Sequence, residues 1–66
     1  MKKTTIEQFR KVVTDWTAGK VNGVTVDATT ASVVVRVHDA LNADNRAELA
    51  KLSVYQIVGV AWELVS

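Results

Sequence analysis

The stretch 29-TTASVVVRVHDALN-42 decides the fold, because it satisfies two incompatible templates. As a strand it would place Val33, Val35 and Val37 on one face and Val34, Arg36 and His38 on the other. As a helix it would turn Val33, Val34, Val37 and Leu41 inward and leave Ser32, Arg36 and Asp39 outside. Valine costs up to about 0.7 kcal/mol against alanine in a helix, so three of them lose roughly 2 kcal/mol. Burying each valine returns about 1.5–3 kcal/mol in either structure, so propensity does not decide. The frame does. Asp27, Thr29 and Thr30 are N-cap types, Ala28, Ala31, Ala40 and Leu41 favour helix, and Asn42 marks an end. The stretch is therefore expected to be a buried central helix.

Upstream, Thr4 with Glu7, or Thr5 with Gln8, forms a capping-box pattern, in which a hydroxyl and a longer polar side chain satisfy free amides at a helix start. Ile6, Phe9, Val12, Val13 and Trp16 then recur on one face, with Glu7 and Lys11 paired outside. Gly19 is expected to end this helix in a left-handed cap. Asn22-Gly23 between valines is a hairpin signal, since a type I′ turn needs positive φ at both central positions. With so few residues on either side, the expectation is a short extended pair against the helices, or a tight turn.

Downstream, 43-ADNRAELAKL-52 predicts a short helix capped by Asn42 or Asp44, with Ala47, Leu49 and Ala50 inward and Arg46 and Lys51 outward. Ser53 and Gln56 open the last helix as a capping box, with Leu52 and Ile57 as its hydrophobic staple. Val54, Ile57, Val58, Ala61 and Val65 form its apolar face, widened by Trp62 and Leu64. Gly59, which costs about 1 kcal/mol against alanine, is expected to admit a neighbouring helix. The fold class is all-α or nearly so: one domain over residues 1–66, a compact bundle of about four short helices with a small turn or hairpin after the first.

A chain of 66 residues buries only about 60% of the surface its unfolded form exposes. With no cysteine and one histidine it has neither disulfides nor a zinc ligand set, and no cofactor is expected. Packing must hold it, within one copy or as a homo-oligomer. A net charge of +1 sets up no global field. Basic residues nevertheless gather early: Lys2, Lys3, Arg10, Lys11 and Lys20 face only Glu7 and Asp15. MKKTTIEQF has no apolar run behind its lysines, and no segment reaches the roughly 18 apolar residues of a membrane span. A cytoplasmic protein without membrane contact is expected.

At 32-SVVVRVHDALNADNRAELAKLSVYQIVGVAWELV-65 the chain resembles a group of small, uncharacterised proteins of tailed bacteriophages. The shared features are a helix led by threonine and alanine that ends in Asp39-Ala40-Leu41-Asn42, then Asn45-Arg46, then a closing helix around Ala61-Trp62 and Leu64-Val65. The preceding 18-AGKVNGVTVDATTAS-32 is similar as well. The chain departs from the pattern at His38, where an aromatic is usual, at Ser53, where proline is, and at Glu63, where a basic residue is. The resemblance implies a phage origin, the cytoplasm of a host cell and a helical core, and it brings no catalytic residue.

Chemistry finds little support. His38 and Asp39 are adjacent, and neighbours on a helix point about 100° apart, which argues against an oriented acid–base pair. An enzyme would need a pocket joining His38 to a second titratable group. Asp39, Asp44 and Glu48 lack the spacing of a calcium loop, and Gly19 and Gly23 lack the Lys-Ser or Lys-Thr of a phosphate loop. The last helix holds Glu63 and no lysine or arginine, so it is a poor major-groove reader. Trp16 and Trp62 are core candidates by size. In the sharper reading Trp62, with Tyr55 and His38, anchors a protein partner. The expected function is non-enzymatic contact with a host or phage protein, with inhibition of a host process as one version. Nucleic-acid binding through Lys2, Lys3, Arg10, Lys11 and Lys20 is the less favoured alternative.

Overall fold

The valine-dense stretch is helical. In the computed structural model, which describes residues 4–65, the chain runs α1 (Thr5–Asp15), β1 (Gly19–Val21), β2 (Val24–Val26), α2 (Ala28–Ala40), α3 (Ala43–Ala50) and α4 (Val54–Val65). It is a mostly helical fold carrying a two-stranded hairpin. Asp27 caps α2 by accepting the Thr30 amide at 2.6 Å, a bond that also holds its carboxyl below the usual carboxylate range. Ala31, Val33, Val34 and Val37 are buried, Leu41 is half-buried, and Arg36 and Asp39 are exposed. α2 is enclosed because α1 packs on one side of it and α4 on another.

Thr4 rather than Thr5 caps α1, accepting the Glu7 amide at 3.2 Å. Gln8 does other work. Its Nε2 donates to Asn22 Oδ1 at 2.8 Å, its Oε1 accepts the Asn22 amide at 2.7 Å, and Asn22 Nδ2 donates to Thr5 Oγ1 at 3.1 Å. The hairpin turn is thereby clamped to the first two turns of α1. Asn22 and Gly23 have φ of 48° and 83°, the positive pair a type I′ turn requires. The strands pair Gly19 with Val26, Lys20 with Thr25 and Val21 with Val24. Their alternation buries Val21 and Val26 and turns Lys20 and Thr25 outward.

Gly19 does not end α1. The helix stops four residues earlier in chain order, at Asp15, where Trp16 takes the left-handed conformation (φ 49°) and bonds its amide to the Val13 carbonyl at 3.2 Å. Gly19 instead lies in β1 and lets the hairpin approach α1, since a Cβ there would sit 3.1 Å from Val12 Cγ2. Trp16 is also no core residue, because the left-handed step turns it out of the apolar face of α1 and leaves it 63% exposed.

Asn42 caps α3 by accepting the Asn45 amide at 2.9 Å. α3 buries Leu49 alone, and Ala47 and Ala50, expected inside, are exposed because this short helix covers only the edge of the core. Arg46 does not simply face solvent. It bends back to donate from Nε to the His38 carbonyl and from Nη2 to the Asp39 carbonyl, both at 2.9 Å, which satisfies orphan acceptors at the end of α2.

α4 opens with both bonds of its capping box: the Ser53 amide to Gln56 Oε1 at 2.9 Å, and the Gln56 amide to Ser53 Oγ at 3.2 Å. Val54, Ile57 and Ala61 reach the core, with Val58 and Val60 half-buried and Leu52 packed at its edge. The wider apolar face does not follow. Trp62, Leu64 and Val65 are exposed, and a Cβ at Gly59 would meet nothing within 4 Å, so that glycine admits no helix inside this chain. No helix among the described residues is long and apolar enough to cross a membrane.

Candidate functional site

At about 100° per residue, positions 55, 58, 59 and 62 fall on one flank of a helix. On α4 they are Tyr55, Val58, Gly59 and Trp62. The capping box fixes where the helix begins, and burial of Val54, Ile57 and Ala61 fixes its rotation, so this flank has to face outward. Tyr55 is 75% exposed and Trp62 43%. The sole charged residue of α4 is Glu63. Beside the flank a groove of about 230 Å³ opens between β2 and α4, lined by Val24, Val26, Val54, Tyr55 and Val58 among others. Exposed aromatics contiguous with an apolar groove are the surface signature of a contact site, and scattered single apolar residues are not.

His38 stands apart from this flank. Its side chain, only 17% exposed, lines a cavity of about 300 Å³ with Phe9, Val34, Arg46, Leu49 and Ile57. Ile57 lies roughly 160° around α4 from Tyr55 by helical geometry, so the cavity and the flank occupy opposite sides of that helix. Of the three residues proposed from sequence as an interface, Tyr55 and Trp62 come together and His38 does not.

The separation expected between His38 and Asp39 fails. His38 Nδ1 lies 3.0 Å from Asp39 Oδ1, because the bond needs only the side chains, not the Cα–Cβ directions, to converge. Arg10 of α1 grips the same carboxylate twice, Nη1 to Oδ2 at 3.2 Å and Nη2 to Oδ1 at 2.5 Å. These partners, Arg10 first and His38 second, hold the Asp39 carboxyl down at about 2, and Asp39 in turn raises Arg10. The ring of His38 bonds to no hydroxyl among the described residues, and Ser32 donates to the Thr29 carbonyl at 2.8 Å. Arg46, the other ionic group on the cavity wall, is engaged through Nε and Nη2 with the His38 and Asp39 carbonyls. The cavity has an apolar floor of Phe9, Val34, Leu49 and Ile57, with Thr4 and Thr5 also on its wall.

Arg10 is bound to Asp39, Lys11 is bound to Asp15 at 3.1 Å, and Lys20 stands on the outer face of β1. Lys2 and Lys3 lie outside the described residues. No group of three His, Cys, Asp or Glu among the described residues could hold a metal ion, and Glu48 is paired with Lys51 at 3.2 Å. Sequence reasoning missed the Arg10–Asp39 link, which joins residues 29 positions apart and leaves no local signal. It also missed the groove, which exists only where β2 and α4 meet. Comparison with protein-family models, curated proteins and solved structures finds no match to this chain.

Proposed function

We propose that this chain is a small non-enzymatic accessory protein that works by protein contact through the outer flank of α4. The carrying observation is the pairing of Tyr55 and Trp62, both exposed, on a helix flank without lysine or arginine. Such aromatics supply most of the binding energy where they are desolvated by a partner. The resemblance to small proteins of tailed bacteriophages supports a host or phage protein as partner, with inhibition of a host process as one form the contact could take. The nucleic-acid alternative draws less support, since Arg10 and Lys11 are already neutralised by acids of their own fold.

The test compares the wild-type chain with a Tyr55→Ala/Trp62→Ala variant, folded by circular dichroism, for capture of defined proteins from host and phage. Capture that the variant loses supports the reading. Tight binding of duplex or single-stranded DNA that collapses between low and moderate salt, and that the variant keeps, overturns it.

A further inference from the structure

We propose that the α4 flank receives a second copy of this chain, paired antiparallel about a two-fold axis at Gly59; this deepens the contact reading above and rests on it. In an antiparallel helix pair centred on one residue, positions equally far before and after it lie opposite each other. Trp62, three residues after Gly59, falls opposite Gln56 of the second copy, beside its Tyr55 and at the mouth of its groove between β2 and α4. The symmetry repeats this contact, so each chain offers one ring and one groove. That is the self-matching an isologous interface demands.

Two further observations select a copy of itself over another partner. Gly59 sits mid-helix, where glycine is unfavourable, and no contact among the described residues accounts for it. On the axis, the missing side chain lets two backbones approach. Glu63, four residues past the axis, falls opposite Tyr55 in the first turn of the other helix, where free amide ends favour an anion. The flank carries no lysine or arginine, and Asp27, which lines its groove with Thr25 and Thr30, is already held by the Thr30 amide. Exposed Tyr55, Trp62 and Val65, with the half-buried Val58, offer an area on the order of 300–400 Å² a side, given about 150–250 Å² for a whole aromatic side chain. That is below the standard interface, so the dimer is a weak one.

Sedimentation equilibrium of the whole chain is expected to show the mass doubling with a Kd on the order of micromolar to tens of micromolar. Trp62→Ala and Gly59→Leu each weaken pairing by roughly tenfold or more while circular dichroism stays unchanged, because both positions face outward in the single copy. Leu64→Ala, on another side of α4, leaves it unchanged. Gly59→Cys, the chain's sole thiol, closes a disulfide dimer under mild oxidation, and Lys20→Cys does not. A chain that stays monomeric to about 500 µM, far above that Kd range, overturns the pairing. So does a dimer indifferent to Trp62→Ala and Gly59→Leu. If defined-protein capture still depends on Tyr55 and Trp62, the contact reading outlives the pairing; if capture is indifferent too, both fall.

Discussion

α2 and α4 are the two longest helices, of 13 and 12 residues, and both are rich in valine. They spend it differently. α2 lies between α1 and α4, so its apolar residues find neighbours on two sides, and its outward positions hold Arg36 and Asp39. α4 leans on α2 along one stripe, and positions that a surface helix gives to charges are held by Tyr55, Val58 and Trp62. An apolar residue states what can be buried; only the neighbours state what is. The surplus on α4 is what makes its flank a candidate site.

The contrast can be broken at several strengths. Phe9→Ala, at a fully buried ring in the cluster shared with Val34, is expected to cost about 3–5 kcal/mol in urea unfolding. Val34→Ala in α2 is expected to cost about 2–3 kcal/mol, from lost methyl burial and the cavity left behind. Tyr55→Ala, measured in dilute solution, should change stability by only about 0.5 kcal/mol despite the larger truncation, since that ring is 75% exposed. Equal costs at Val34 and Tyr55 would erase the distinction between the two helices.

Gly59→Ala sharpens the contrast by opposing two readouts. In the single copy the new methyl meets open space, so the helix gains about 1 kcal/mol and Tm rises. Pairing, if Gly59 lies on the axis, weakens at the same time. A lower Tm in dilute solution would show that the flank is already covered within the chain.

The smallest expected effect is a pH dependence at the junction of α1 and α2. Asp39 titrates near 2 in the folded chain and close to 3.9 unfolded, so its contribution is present above about pH 4 and fades as pH falls toward 2. Asp39→Asn should flatten that acid limb of the Tm–pH curve. Added salt should shrink the difference, since both Arg10 and Asp39 are about half exposed.

The parts of this fold that could be read from the sequence are those encoded within about four residues. Asn22-Gly23 carries its own turn geometry, Ser53 and Gln56 satisfy each other, and Asp27 caps the helix whose valines left strand and helix open. The misreadings share another origin. Gly19, Gly59, Ala47 and Ala50 carry only a residue-type signal, but their roles depend on which element lies opposite, and that is fixed by packing. Trp16 shows the same limit, because its place in a three-four pattern predicts burial and one left-handed residue cancels it. Tyr55 and Trp62 were legible as interface candidates from the breadth of the apolar pattern on their helix. The groove beside them was not, since it joins residues from two distant segments.

The amide clamp between Gln8 and Asn22 reverses a common rule about where a chain can be opened or extended. Hairpin tips ordinarily accept tags, new termini or inserted domains, because their backbone is exposed and unbonded. Here the tip residue is stitched to Gln8 and Thr5, so an insertion between Asn22 and Gly23 would unfasten the hairpin from α1 and uncover Val21. A fluorophore or permuted end belongs instead at Thr17–Ala18, which is exposed and lies before the first paired strand residue.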